Sequence, residues 1–298
     1  MKDIGKILAY FFGVIVLGAL LAPPLYWAGQ AVAAKGILTF LAETDFQKFF
    51  NRGMLIAAIA LLWPTVHWLR VGSVRELGLE RDDQWWRRCL VGFAIASILV
   101  FALGVIYTGF DIYHWKKDLP REKLPSLMLS AIVVALLEEG LFRGGILGLF
   151  RRSLSARAAV LWTSFIFAAV HFLKPDDEVK VVSVGWVSGF ELVPHVLHQF
   201  TEPLLLLGGF TTIFVLALML GDVTVRTRSL WMAIGLHAGV VFAKMSFSKF
   251  TKRDEAYLPW VGEELQIGLV PVGVLLLAWL LAYLWLRYVD RSSSSQGR

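Results

Sequence analysis

The stretch Leu127-Met128-Leu129-Ser130-Ala131-Ile132-Val133-Val134-Ala135-Leu136-Leu137-Glu138-Glu139-Gly140-Leu141-Phe142-Arg143 sets two adjacent carboxylates in an otherwise apolar helical run. A carboxylate in hydrocarbon is costly, and two neighbours of like charge are costlier. Such groups face a polar cavity or another polar side chain, and they mark function. Glu139 and Arg143 are four residues apart with the acid first, the favourable order for a helical ion pair. Glu138 is turned about 100° from Glu139 on a helix of 3.6 residues per turn. It therefore points elsewhere, toward neighbouring helices, and is left for chemistry. The competing reading makes both acids structural glue, paired with Arg143 and a helix end.

The rest of the chain has the composition of a membrane protein. Hydrophobic residues make up 57% of the 298 and charged residues only 17%, against about 25% charged in an ordinary soluble domain. The net charge is +6, but the basic residues lie between apolar runs. That places them at membrane flanks rather than on nucleic acid, which is not an expected partner. Cys89 is the single cysteine, so no internal disulfide can form. The first apolar run, 7–29, is too long for a signal-peptide core and has no obvious cleavage site, and it reads as a retained span.

Spans of about 20 apolar residues are expected at 7–29, 53–69, 89–110, 125–150, 157–174, 201–221, 229–247 and 266–287. Pro64 can kink the second. With the N-terminus inside, the inner segments hold 16 of the 29 Lys and Arg residues, Arg70, Arg75, Arg143 and Arg298 among them. That excess favours cytoplasmic N- and C-termini. The expected fold is all-α: a polytopic membrane helical bundle of about eight transmembrane helices. It divides into N-terminal helices 1–124, a core 125–250, and a last span with its tail 251–298. The Ser-rich segment 292–295 reads as a frayed end. The segment 174–200, with Asp176, Asp177 and Glu178 and then Gly185, Gly189 and Pro194, is the least regular and is expected on or dipping into the membrane.

Two histidines lie inside other spans. His171 ends Phe167-Ala168-Ala169-Val170-His171, and His237 lies in Ala233-Ile234-Gly235-Leu236-His237-Ala238-Gly239. Each alone can be a packing residue, and Phe167 can pack on His171 one turn on. Depth joins them to Glu138. Counted from the inner-face Arg151, Arg157 and Arg228, the three sit about 20, 21 and 14 Å in at 1.5 Å per residue. Small residues around them, Gly140, Gly144, Gly145, Ala168, Ala169, Gly235, Ala238 and Gly239, allow close helix approach or room for a peptide. A second cluster, Glu191, His195, His198 and Glu202, is spaced 4, 3 and 4 and could bind a metal on one helical face, although Pro194 interrupts it. His67-Trp68 and His114-Trp115 read as interfacial anchors.

Glu138-Glu139-Gly140-Leu141-Phe142-Arg143, Phe167-Ala168-Ala169-Val170-His171 and Ser229-Leu230-Trp231 with His237 form an ordered set of three motifs in successive spans. Over roughly 120–250 the sequence resembles the CAAX-protease and bacteriocin-processing (CPBP, or ABI) family of intramembrane glutamic-type endopeptidases. The resemblance implies an eight-helix hydrolase of peptide bonds without a cofactor. By the same resemblance Glu138 and His171 activate water, Glu139 and Arg143 support the site, and His237 helps form an oxyanion pocket. The family's Asn or Asp four residues after that histidine is replaced by Val241, which cannot donate a hydrogen bond. Losing one such donor costs about 10²–10³ in turnover unless another group, Lys244 for example, replaces it.

Hydrolysis needs a base, a polarising donor and a water. Glu138, His171 and His237 can supply the first two, or can hold zinc with water as a fourth ligand. A proton relay or transporter, and a non-catalytic membrane adaptor, are the readings from other classes. The expected partners are the lipid bilayer and a membrane-associated protein or peptide substrate. The expected place is the bacterial inner membrane, as a multi-pass protein.

Overall fold

The structure is a computed structural model that describes residues 2–68, 78–173, 175, 179–253, 257–262 and 264–296. Arg70, Arg75, Arg298, Asp176, Asp177 and Glu178, expected at the inner face or in a loop, lie outside the described residues.

Helices form where the apolar runs lie. They are α1 (Lys2–Ala34), α2 (Phe46–Trp68), α3 (Trp85–Gly109), α4 (Leu124–Glu139), α5 (Ala156–His171), short α6 (Ser188–Leu192), α7 (Thr211–Thr227), α8 (Trp231–Phe250) and α9 (Leu269–Gln296). Five helical stretches are long and apolar enough to cross a membrane: Gly5–Ala34, Trp85–Gly109, Arg121–Phe150, Pro203–Thr227 and Leu269–Val289. The fold is a helical membrane bundle. Of the other three expected spans, α5 has only 16 residues. The remaining two carry more polar groups: Lys48, Asn51 and Arg52 on α2, His237, Lys244 and Lys249 on α8. The serine run 292–295 continues α9 rather than fraying.

The chain forms two compact units, residues 1–72 with 171–202, and residues 73–170 with 203–298. These cut across the expected division at 124 and 250, and packing explains why. In the second unit α3 lies flush against α8. A Cβ on Gly239 would come within 2.6 Å of the Phe93 carbonyl oxygen, one on Gly92 within 2.7 Å of the Met232 carbonyl oxygen, and one on Gly235 would meet the Cys89 carbonyl oxygen. Helix backbones approach this closely only through small residues, so α3 belongs with the core rather than with α1 and α2. Met219, Leu220, Met232, Leu236, Phe247 and Leu275 fill the space between α3, α7, α8 and α9. Gly239→Leu should therefore lower the thermal midpoint of the detergent-solubilised protein. Overpacking costs about 1–3 kcal/mol, and a midpoint equal to wild type would count against this contact.

The first unit uses the same device. Gly18 of α1 and Gly53 of α2 face each other, with a Gly53 Cβ 2.6 Å from the Gly18 carbonyl oxygen. Helix α6 then abuts α1 where Gly189 meets the Ala19 backbone. After α6 the chain is 3₁₀-helical over Val193–Thr201, so the expected irregular segment is structured in its described part.

Two three-residue strands, unannounced by the sequence, join the ends of α3 and α8. β1 (Tyr113–Trp115) pairs antiparallel with β2 (Thr251–Arg253), His114 opposite Lys252. Burial raises the Tyr113 hydroxyl pKa, partly offset by the charge and hydrogen bond of Arg253.

Candidate active site

The site grows from the end of α4. Beyond Glu139 the helix continues as a π-helix over Gly140–Leu147. Gly140, Gly144 and Gly145 favour such a departure from α geometry because glycine is a poor α-helix former. Wide turns of this kind occur often at functional sites. A second π-helical stretch, Leu206–Phe210, precedes α7.

Glu139 is fully buried, and its carboxylate Oε1 is the hub. It accepts a hydrogen bond from Arg143 Nη1 at 2.9 Å and lies 2.7 Å from His237 Nδ1 on α8. Arg143 also donates through Nη2 to the Ala217 carbonyl oxygen of α7 at 3.1 Å. Its guanidinium stacks over the Phe167 ring of α5, 4.4 Å from the centroid. Phe167 meets Phe142 edge-on at 4.9 Å and the His237 ring at 6.0 Å. One buried ion pair thus ties α4, α5, α7 and α8. The expected Glu139–Arg143 pair is present. Arg143, counted from the sequence among the inner-face cations, is instead buried in the core.

Glu138 is in a different environment. Its side chain is 30% exposed where that of Glu139 is 0%, and its Oε2 lies 3.7 Å from His237 Nε2. The tautomer follows from Glu139. A carboxylate paired with a guanidinium only accepts hydrogen bonds, so His237 Nδ1 carries the hydrogen and Nε2 is turned toward Glu138. Two adjacent glutamates therefore meet opposite sides of one imidazole. Glu139 holds Arg143 and the back of the imidazole, while Glu138 faces its front. The link from Glu139 to His237 spans 98 positions and was not expected; nothing local in the sequence signals it.

His171 is the last residue of α5, one turn after Phe167, and is exposed; it falls in the first compact unit. Val241, one turn after His237 on α8, is half-buried. Lys244, considered from the sequence as a replacement donor, pairs with Glu264, Nζ to Oε2 at 2.5 Å. In the second polar cluster His198 Nε2 lies 3.3 Å from Glu202 Oε1. His195 and His198 belong to the 3₁₀ segment while Glu191 belongs to α6, so the single α-helical face assumed for the four does not form. Among the described residues no three His, Cys, Asp or Glu side chains group as a metal site.

Residues 120–243 match the family model described as type II CAAX prenyl endopeptidase Rce1-like. That region of the chain, less than half of its length, is similar to the CAAX-protease family. The match spans Glu138, Glu139, Arg143, Phe167, His171, His237 and Val241, and so bears out the resemblance read from the three motifs. It points to a protease, and with the apolar helices to an integral membrane protein. No curated protein and no solved structure matches the chain.

Proposed function

We propose that the chain is an intramembrane endopeptidase that hydrolyses a peptide bond of a membrane-associated protein or peptide with a water activated by Glu138 and His171. The observation that supports this reading most is the split between the two glutamates. Neighbouring titratable groups held in different environments are how a site assigns different roles to like residues. Glu139 is fixed by Arg143 and His237, whereas the Glu138 side chain is partly exposed and sets its Oε2 3.7 Å from His237 Nε2.

Glu138 takes a proton from water, and the hydroxide adds to the scissile carbonyl carbon. His171, which ends the Phe167–His171 motif, orients the water. His237, when it carries a proton on Nε2 as well as Nδ1, donates to the developing oxyanion, and the Glu139 carboxylate balances the charge on the ring. Collapse of the tetrahedral intermediate breaks the C–N bond, and Glu138 returns its proton to the leaving amine. Val241 leaves the pocket without the second side-chain donor of the family pattern, so His237 carries that duty on this chain. No metal takes part in this scheme. Both termini are cytoplasmic, on the excess of Lys and Arg in the inner segments, and the inner membrane of a bacterial cell is the proposed location.

The family description makes a prenylated peptide ending in a CAAX sequence the first substrate to test. His171→Ala should abolish its cleavage by the detergent-purified protein while the thermal midpoint stays at the wild-type value. Wild type should keep its activity after exhaustive chelation. Near one zinc per chain, with activity lost on its removal and restored on its return, would overturn the metal-free scheme. Full turnover by His171→Ala would remove that histidine from the mechanism.

A further inference from the structure

A cavity of about 400 Å³ opens where α3 begins, α7 ends and the membrane-crossing stretch of α9 ends, lined by Arg88, Arg226, Arg287 and Tyr283 among others. It lies away from Glu138 and does not depend on the proposed protease chemistry. Each arginine stands within one turn of the end of a membrane-crossing stretch: Arg88 in Trp85–Gly109, Arg226 in Pro203–Thr227 and Arg287 in Leu269–Val289. The cavity is therefore at headgroup depth.

Each of the three guanidiniums has a partner on the protein. Arg226 and Arg287 lie on the Tyr283 ring, each 4.9 Å from its centroid. Arg226 Nε donates to Asp222 Oδ2 at 2.7 Å, and that oxygen also accepts from Trp279 Nε1 at 2.8 Å. Arg88 Nη1 is bonded to Asp82 Oδ2 at 2.5 Å. Two acids thus answer three arginines, and Arg287 pairs with no acid among the described residues. Like charges gathered at one place repel each other, and an anion between them relieves that cost. A guanidinium fork matches phosphate oxygens in bidentate geometry. Basic pockets between membrane helices on the cytoplasmic side take anionic headgroups, and a volume of this order suits a small polar ligand.

We propose that this cavity binds a phosphate group through Arg88, Arg226 and Arg287, supplied by the headgroup of an anionic membrane lipid or by free phosphate. Bound there, it ties α3, α7 and α9 together at one end of the second compact unit.

The test uses the full chain in detergent, titrated separately with phosphatidylglycerol, inorganic phosphate and diacylglycerol, with binding read by native mass spectrometry and by thermal midpoint. Phosphatidylglycerol should bind and raise the midpoint; diacylglycerol, which lacks phosphate, should do neither. Arg287→Gln and Arg88→Gln should each weaken binding about tenfold, the scale of one lost charge-assisted hydrogen bond. Inorganic phosphate that binds as tightly as the lipid identifies free phosphate as the source, and lipid binding without phosphate binding identifies the headgroup. Failure of wild type to bind either, or binding unchanged in both variants, would overturn the proposal.

Discussion

Glu139→Gln should sharply destabilise the protein, by about 3–5 kcal/mol, the scale for breaking a buried ion pair from one side. The carboxylate is fully buried and serves two partners, Arg143 Nη1 and His237 Nδ1. Glutamine removes the charge and leaves the Arg143 guanidinium, itself buried, without a counterion. Arg143→Met should cost a similar amount from the other side, since it strands the acid and also frees the Ala217 carbonyl and the Phe167 face. The double variant should recover part of the loss, because neither ion is then left buried without its partner. Thermal midpoints of the four proteins form a double-mutant cycle that reads the coupling. Additive losses, or a Glu139→Gln midpoint equal to wild type, would mean that the pair does not hold the helices together.

This prediction rests on the part of the site that was half legible in the sequence. Glu139 and Arg143 are one helical turn apart, and a local relation of that kind is readable from spacing alone. The positions of the long helices were legible for the same reason, because an apolar run of span length announces itself. Contacts between helices were not. The His237 bond to Glu139 joins residues far apart in the chain, and no periodicity encodes it. Placing Arg143 with the inner-face cations treated it by residue type, whereas its hydrogen-bond partners draw it into the core. The union of α3 with α8 depends on glycines that read only as small residues until the facing backbone is known. The π-helical turn after Glu139 and the pairing of Tyr113–Trp115 with Thr251–Arg253 are likewise set by tertiary packing. The metal reading of Glu191, His195, His198 and Glu202 assumed one α-helix, and a 3₁₀ segment runs over Val193–Thr201 instead.

The second large effect concerns Glu138. Glu138→Gln keeps the size and polarity of the side chain and removes its capacity to take a proton. Because the side chain is 30% exposed and glutamine keeps its shape, the midpoint should stay near that of wild type. Turnover should fall at least about 10²–10⁴-fold, the range that a positioned general base contributes. Stability and activity should thus separate between neighbouring residues: Glu139→Gln loses both, and Glu138→Gln loses activity alone.

Activation of water by Glu138 is decided by incubating a prenylated CAAX peptide with the purified protein in ¹⁸O-labelled water and weighing the products. Wild type should release two fragments, one ¹⁸O in the newly formed carboxyl group, and a folded Glu138→Gln protein should leave the peptide uncleaved; labelled fragments released by Glu138→Gln at the wild-type rate would contradict a role for Glu138 as the base.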